Sequence, residues 1–265
     1  MTGIDRIKDG GTDGCKVAES VPSPAIVLIE PQLGENIGTA ARAMLNFELS
    51  DLRLVRPRAG WQNEKAIAAA SGAKGVLSEA RLFECTEEAI ADLHKVYAST
   101  GRPRDMTQQI LSPAHAAQVM RVDAISGELS GVLFGPERSG LTNEDLALSD
   151  AVITVPANSY FKSLNLAMAV LLIGYEWFVH LDSVHDFDDL VMVGTRSATK
   201  AELQGFFGHL EGALDDCGFL RVPEKRPHMV RNIRNIFQRA QLTEQEVRTL
   251  RGVISGLVDH TSGRR

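Results

Sequence analysis

The chain has 265 residues, of which 44% are hydrophobic and 23% are charged, and its formal net charge at pH 7 is −6. This composition is ordinary for a globular protein of one large domain, with or without a small appendage, and the excess of acid means that nucleic-acid binding would need local basic patches. No stretch of 18 apolar residues occurs and the N-terminus lacks an apolar leader, so we expect neither a membrane-spanning helix nor a secretory signal. Three scattered cysteines argue against a disulfide framework or a zinc site and favour the reducing cytoplasm.

The N-terminal two thirds of the chain alternate between short apolar runs and helical patterns. Residues 1–23 are rich in Gly, Asp, Ser and Pro and predict a disordered tail. Strands are then predicted at the runs AIVLI, LRLV, KVYAS, GVLFG and AVITV, and RLFE could add one more. Helices are predicted over 36–48, 63–71, 86–93, 112–121 and 163–180. This alternation indicates an α/β domain over 24–180 with a mostly parallel sheet and helices on both faces.

The C-terminal part has a different pattern. Residues 181–198 are acidic and polar and predict a linker. Helical patterns follow over 199–216, 227–240 and 243–259. We therefore expect a small all-helical extension over 199–265.

The stretch GENIGTAARAML, residues 34–45, follows the first predicted strand, but its glycine spacing fits neither the G-x-G-x-x-G nor the P-loop pattern. Asn36 is placed to cap the following helix. Gly38 keeps the first turns thin, so that another backbone or a ligand could approach there. Arg42 would lie near the carboxyl end of the strand, where α/β sheets bind ligands. The alternative is a capped helix with a solvated arginine.

The stretch GVLFGPERSGL, residues 131–141, ends another strand in a tight loop. Gly135 and Gly140 permit close backbone approach, so a flat ring could be held there by backbone N–H and C=O groups. Glu137 and Arg138 stand at the tip of this loop. The alternative is a plain turn before a capped helix.

Two further polar loops follow predicted strands. VPANSYFKSLNLAMAV, residues 155–170, leads into a helix for which Ser163 is the expected N-cap. ASTGRPRD, residues 98–105, offers small polar residues and two arginines, and its alternative is a surface loop. The chain contains no G-x-S-x-G, no H-E-x-x-H and no cysteine beside a suitable histidine, so the chemistry should need neither a metal nor a covalent intermediate.

Taken together, N-x-G-x-x-x-R at 36–42, F-G-P-E-R-S-G-L at 134–141 and V-P-(x)6-S-L-N-L-A at 155–167 resemble the three motifs of the SpoU branch of SPOUT RNA methyltransferases. Their order and separation match as well. The helical tail resembles the C-terminal extension of the TrmJ-type enzymes, which methylate a ribose 2′-hydroxyl in the tRNA anticodon loop, at position 32 on cytidine or uridine.

The resemblance implies a deep trefoil knot formed by the segments around 131–141 and 155–170, and a homodimer whose second subunit completes the site. It also implies S-adenosylmethionine as the methyl donor, bound bent in the knot. The residues that would line the donor site are Ser99, Thr100, Gly101, Leu133, Gly135, Val155, Ser163 and Leu164. Among them, Leu133, Val155 and Leu164 would form an apolar slot for the adenine.

The implied reaction is an in-line displacement in which the ribose 2′-oxygen attacks the sulfonium methyl group. By the resemblance, Arg42 is the residue nearest the attacking hydroxyl, and the glycines that precede it would clear space for RNA. Because a free guanidinium has a pKa of about 12.5–13.8, stabilising the developing alkoxide or contacting phosphate is easier for it than acting as a base. Glu137 could orient Arg42 or relay the proton, and Asn36 and Asn165 would fix the substrate or Arg42.

Local basic patches could overcome the overall negative charge. The segment 221–251 contains eight basic residues and three acidic ones. Within it, Arg231 and Arg234 share a helix face. Further basic groups that could contact phosphate are Arg53, Arg56 and Arg58 after the second strand, and Arg102 and Arg104 after the KVYAS strand. The alternative is that these are ordinary solvated charges.

Three other functions compete with tRNA methylation at this stage. A ribosomal RNA methyltransferase of the same branch differs only in its substrate. A knotted RNA-binding protein without activity would have no need of the motif residues that are intact here. A nucleotide-dependent dehydrogenase lacks its glycine fingerprint in this chain.

Overall fold

The computed structural model describes residues 21–58, 60–61, 63–101, 108–180 and 195–261. These residues form a seven-stranded sheet whose order is β3-β2-β1-β6-β4-β7-β5, and every pairing in it is parallel. The strands are β1 (Ala25–Ile29), β2 (Leu52–Val55), β3 (Arg81–Phe83), β4 (Lys95–Ser99), β5 (Gln109–Leu111), β6 (Ser130–Phe134) and β7 (Ala151–Ile153). The predicted parallel α/β class is confirmed, including RLFE as a strand, and only β5 was not predicted.

Helices cover both faces of the sheet and form the C-terminal extension. In the α/β part they are α1 (Gly34–Asn46), α2 (Glu64–Ala70), α3 (Lys74–Ser78), α4 (Thr86–Ala89), α5 (Pro113–Ile125), α6 (Asn143–Ala147) and α7 (Leu166–Val179). The extension contains α8 (Lys200–Asp216), α9 (Arg226–Arg239) and α10 (Glu244–Thr261). The described helices include none that is both long and apolar enough to cross a membrane. Residues 1–20 of the predicted tail and residues 181–194 of the predicted linker lie outside the described residues.

The alternation of side chains along β1 explains why its sequence is apolar throughout. Ile26 and Leu28 belong to the core cluster under α1, α2 and α7, whereas Val27 and Ile29 belong to the cluster on the opposite face with α4 and α6. Both faces of the strand are therefore buried, as is usual in parallel sheets. The trefoil knot that the resemblance implies for the segments after β6 and β7 stays a prediction.

Gly38 allows α1 and α2 to pack backbone against backbone. A Cβ atom at this position would lie 2.1 Å from the carbonyl oxygen of Ala66 and 2.9 Å from the Cβ of Ala69. The predicted close approach of another backbone is therefore confirmed, and the expectation that this glycine clears space for RNA is wrong, because helix α2 fills that space.

A partly buried carboxylate lies near the amino ends of the central strands. The hydroxyl of Tyr97 donates to Oδ2 of Asp123 at 3.2 Å. Burial raises the pKa of Asp123 to about 6, and the carboxylates of Glu128 and Asp150 add to this shift while Lys95 opposes it. Between about pH 4 and pH 6, the folded protein thus keeps a proton on Asp123 that the unfolded chain has already released, since the carboxyl there has its ordinary pKa of 3.8.

This shift predicts that Asp123→Asn stabilises the protein at pH 7.5, by about 1–2 kcal/mol. A folded-state pKa that is raised makes stability fall as the pH rises from about 4 to about 6, and the neutral amide removes that loss. Urea unfolding should show the gain shrinking as the pH is lowered from 7.5 to 4.5. Asp259→Asn, which changes an exposed aspartate of α10, serves as the control. A gain for Asp123→Asn that is equal at all these pH values would contradict the explanation.

The C-terminal helices have a small core of their own. Phe206 and Phe207 on α8 pack against Phe237 on α9, with the Phe206 and Phe237 ring centroids 4.8 Å apart at an interplanar angle of 81°. Edge-to-face contacts of this kind add to the energy of burying the rings. The predicted helical extension is thus present as a packed unit.

That unit is fixed to the α/β part at the amino ends of the strands. The buried ammonium of Lys200 donates to Oδ1 of Asp150 at 2.6 Å and to Oε1 of Gln238 at 3.1 Å. The backbone N–H of Lys200 donates to the carbonyl of Leu93 at 2.9 Å, and Nε2 of Gln238 donates to the carbonyl of Ala147 at 3.3 Å. Burial lowers the pKa of Lys200, and the Asp150 carboxylate opposes that shift.

The last residues of the predicted linker belong to the same contact. Ser197 forms a bridge with Thr243 at the start of α10, and its hydroxyl donates to the Glu128 carboxylate. Ala198 is buried in the helical core. Residues 195–198 are therefore part of the helical unit.

Candidate active site

A cavity of about 530 Å³ opens at the carboxyl ends of the adjacent strands β6, β4 and β7. Its size is within the range of about 300–1,000 Å³ that is usual for small-molecule sites, and its position is the usual ligand edge of an α/β sheet. The predicted donor-site residues that line it are Ser99, Thr100, Gly101, Gly135, Val155, Ser163 and Leu164. Three loops that are separate in the sequence therefore meet at one site.

Leu133 is the predicted donor-site residue that does not line the cavity. It is fully buried in the core cluster that also contains Val27 and Val96. Its neighbour Phe134 lines the cavity instead. Because successive residues of a strand point to opposite faces, an apolar run cannot tell which of two neighbours reaches a ligand.

The loops around the cavity fold tightly on themselves and on each other. A Cβ atom on Gly135 would lie 2.3 Å from the amide nitrogen of Leu141, and one on Gly101 would lie 3.0 Å from the carbonyl oxygen of Lys162. The hydroxyl of Thr154 donates to the carbonyl of Thr100 at 3.1 Å. A cradle of strand-end backbone groups with apolar side chains between them suits an adenine ring and a flexible amino-acid chain.

A chain of hydrogen bonds connects the three motifs. Nδ2 of Asn36 donates to Oε1 of Glu137 at 2.8 Å, and Nδ2 of Asn165 donates to Oδ1 of Asn36 at 3.0 Å. The backbone N–H of Gln32 donates to Oε2 of Glu137 at 2.9 Å. Three of the predicted catalytic residues therefore hold α1, the loop after β6 and the start of α7 in one fixed arrangement.

These contacts correct both predicted helix caps. The N-cap of α1 is Leu33, which makes no side-chain cap, so Asn36 lies inside the first turn and bonds Glu137 instead. The N-cap of α7 is Asn165, whose Oδ1 accepts from the N–H of Ala167 at 2.9 Å, and Ser163 stays in the loop that lines the cavity.

Arg42 lies apart from this hydrogen-bonded chain. Its side chain is exposed on α1, and within the described part of the protein it makes no hydrogen bond or ion pair. The Glu137 carboxylate accepts from Gln32, Leu33 and Asn36, so it positions Asn36 and does not orient Arg42 within the same subunit. Arg42 is therefore free to meet a substrate or another subunit.

Both oxygens of the Glu137 carboxylate accept hydrogen bonds, and this predicts the effect of Glu137→Gln. The amide offers one acceptor oxygen where Gln32 and Asn36 each need one, so one donor is left unsatisfied. We expect methyl transfer to fall about 10- to 100-fold and the free energy of unfolding to fall by about 1–3 kcal/mol. Steady-state kinetics and urea unfolding measure the two effects. Glu144→Gln, on the exposed side of α6, should change neither, and full activity of Glu137→Gln would contradict the assigned role.

The structure describes two of the four predicted RNA-binding arginines, Arg231 and Arg234. Nε of Arg234 lies 2.7 Å from the Glu211 carboxylate, and its guanidinium lies over the Phe207 ring, so this residue also stabilises the helical unit. Arg231 is half-buried on the same helix. Arg102 and Arg104 lie outside the described residues.

The predicted patch after β2 is wrong for Arg53. This side chain is only 2% exposed and its guanidinium pairs with the carboxylates of Asp51 and Asp92. Arg56 and Arg58 both pair with Glu30, at 3.0 and 2.7 Å, which offsets part of their charge.

In the described parts of the chain, no three His, Cys, Asp or Glu side chains cluster as metal ligands.

Comparison with known families agrees with this geometry. The model of the SpoU rRNA Methylase family matches residues 23–175, more than half of the chain. The chain belongs to this family. The SpoU match contains all three motifs and the whole cavity, and a second model, the C-terminal domain of the tRNA methyltransferase TrmJ, matches residues 201–265. The predicted resemblance to the SpoU branch, with a TrmJ-type extension, is confirmed, and SpoU methyltransferases use S-adenosylmethionine.

This SpoU protein resembles individual relatives over nearly their whole lengths. A tRNA (cytidine/uridine/adenosine-2′-O-)-methyltransferase TrmJ of Pseudomonas aeruginosa is 34% identical over 237 residues, 87% of this chain and 91% of the relative. The tRNA (cytidine/uridine-2′-O-)-methyltransferase TrmJ of Escherichia coli is 34% identical over 242 residues, 91% of this chain and 97% of the relative. The crystal structure of TrmJ from Z. mobilis ZM4 superposes with a TM-score of 0.80 at 46% identity, covering 89% of this chain and 99% of that one.

Proposed function

We propose that this protein transfers a methyl group from S-adenosylmethionine to a ribose 2′-hydroxyl of tRNA, on a cytidine or uridine at position 32 of the anticodon loop. The observation that carries the proposal is the cavity at the strand ends, where the three motif loops meet beside the Asn36–Glu137–Asn165 chain. The TrmJ relatives and the TrmJ-type helical extension support tRNA over ribosomal RNA.

In this reaction the donor supplies an electrophilic methyl group on a positively charged sulfur. The backbone and side chains of the cavity, among them Gly101, Gly135 and Leu164, would hold it at the strand ends. The 2′-oxygen would attack the methyl carbon in line as the carbon–sulfur bond breaks, leaving S-adenosylhomocysteine, and the hydroxyl proton would pass to solvent. A guanidinium close to the 2′-oxygen would stabilise the negative charge that develops there, which is the role we assign to Arg42.

Arg42 can take that role if two subunits build each site. Helix α7 exposes a stripe of hydrophobic side chains at helical spacing, Met168, Leu171, Tyr175 and Val179, beside the exposed Leu45 of α1. A stripe of this kind favours burial against a second copy of the chain. We therefore propose a homodimer that brings Arg42 of one subunit to the cavity of the other.

Methyl transfer to tRNA tests the proposal directly. The protein, radiolabelled donor and unmodified tRNA transcripts should give labelled tRNA, and mapping of 2′-O-methyl groups should place the product at position 32. Ribosomal RNA fragments included as competitors should stay unlabelled. If no RNA accepts the methyl group, the proposal fails, and tRNA binding without transfer would mark a non-catalytic RNA-binding member of the family. A tRNA substrate also supports the cytoplasm as its compartment.

A further inference from the structure

The loop between β7 and α7 exposes two large aromatic rings at the mouth of the cavity. Tyr160 is 96% exposed and Phe161 is 74% exposed, and both line the cavity. Aromatic side chains usually bury most of their surface on folding, so an exposed pair beside a functional cavity indicates a binding surface. None of the roles assigned above uses these rings.

The two rings belong to a turn whose backbone is held by hydrogen bonds. The N–H of Tyr160 donates to Oδ1 of Asn158 at 2.9 Å, and the N–H of Phe161 donates to the carbonyl of Asn158 at 2.9 Å. The following residue, Lys162, has its carbonyl close against Gly101 on the neighbouring loop. Because the backbone is already fixed, the loop loses little conformational entropy when a ligand covers the rings.

Two cations accompany the rings. Lys162 and Arg138 are exposed and line the same cavity, and neither forms an ion pair with any residue that the structure describes. Aromatic rings next to unpaired cations are the combination with which proteins bind single-stranded nucleic acid, through base stacking and phosphate contact. Helix α7, which carries the hydrophobic stripe, contains no lysine or arginine of its own, and this distinguishes the stripe from the rim.

We propose that Tyr160 stacks on the base of the nucleotide that is methylated, with Phe161 beside it and with Lys162 and Arg138 contacting the adjoining phosphates. This inference rests on the proposed function. The ribose must place its 2′-oxygen at the cavity, so the attached base must lie on the rim where Tyr160 stands. A stacked ring contacts the face of a base and not its hydrogen-bonding edge, so it accepts cytidine and uridine alike.

The first test compares Tyr160→Ala, Tyr160→Trp and the unaltered protein in tRNA binding and methyl transfer. Loss of one stacking contact should weaken tRNA binding and lower kcat/KM roughly 5- to 150-fold in Tyr160→Ala. Tyr160→Trp keeps a stacking ring and should retain most of both. Leu82→Ala removes an exposed side chain from β3, at the far edge of the sheet, and should change neither.

The second test detects the stacking itself. A tRNA transcript with the fluorescent base pyrrolocytidine at the methylated position should be quenched on binding to the unaltered protein and to Tyr160→Trp, but not to Tyr160→Ala. Unchanged tRNA affinity and quenching in Tyr160→Ala would overturn the inference. So would an equal loss of S-adenosylhomocysteine affinity, which would make the ring a cover for the donor, or a loss of dimers in light scattering, which would make it a subunit contact. If the unaltered protein methylates no tRNA, the proposed function itself fails, whatever the fluorescence shows.

Discussion

Arg42→Ala should lower kcat for methyl transfer about 10²- to 10³-fold while leaving donor affinity and stability almost unchanged. That factor is typical for the loss of one group that stabilises charge in a transition state. The side chain is exposed and makes no described contact within its own subunit, and alanine is a good helix former, so α1 should not suffer. Arg42→Lys keeps the charge without the planar donor pair and should recover part of the rate. Methyl-transfer assays stopped at fixed times measure kcat, and S-adenosylhomocysteine titrations, as the control, measure the affinity of the donor site.

Mixed dimers decide whether Arg42 acts on its own subunit or on the partner. Gly135→Ala should disable the donor site, because the added methyl would lie 2.3 Å from the Leu141 amide nitrogen. A dimer of one Arg42→Ala subunit and one Gly135→Ala subunit contains one intact site only if Arg42 works across the interface. About half the unaltered activity should then return, although both parent dimers are nearly inactive. A mixed dimer as inactive as its parents would contradict the proposed arrangement.

Lys200→Met should lower the free energy of unfolding by about 3 kcal/mol, the usual cost of breaking a buried ion pair by removing one partner. The Lys200 side chain is 3% exposed, and its removal leaves Oδ1 of Asp150 and the Gln238 amide oxygen without this donor. The contact between the helical unit and the sheet should open first. Urea unfolding measures the loss, and hydrogen exchange of α8 and α9 locates it.

A surface ion pair provides the matched control for Lys200→Met. Arg248 is 75% exposed and pairs with Glu244 one helical turn away. Arg248→Ala should change the free energy of unfolding by no more than about 0.5 kcal/mol. Adding Asp150→Asn to Lys200→Met should recover part of the lost stability, because the uncompensated charge is then removed. Equal effects of Lys200→Met and Arg248→Ala would show that the buried pair does not fasten the two parts.

The five inner strands were predictable because burial on both faces makes them mostly apolar, whereas the partly exposed edge strand β3 was suggested only by the short run RLFE. The exception, β5, is an edge strand of three residues in which only Leu111 is buried, so it carries no such signal. The same property that reveals a strand hides its orientation, and Leu133 was assigned to the cavity for that reason although its neighbour Phe134 lines it.

The loops of the site were predictable from motifs, but their contacts were not. Arg53 resembled a surface cation because the contacts that bury it, with the carbonyl of Ala89 and the carboxylate of Asp92, come from 36 and 39 residues away in the sequence. Asn36 and Ser163 both occur near helix starts, and only the path of the backbone decides that neither is the cap. The exposure of Tyr160, on which the proposed base contact depends, is likewise visible only after the fold is known.

The hydrogen bonds among Asn36, Glu137 and Asn165 also constrain how the protein folds. They join residues 101 and 129 positions apart, and all strand pairs of the sheet are parallel and therefore also distant in sequence. Contacts of such high contact order form slowly, because large loops must close before any of them contributes stability. During synthesis, the N-terminal strands leave the ribosome long before Asn165 does. The methyl-donor cavity is therefore among the last parts of the α/β domain to assemble, and a nascent chain without α7 has no complete binding site.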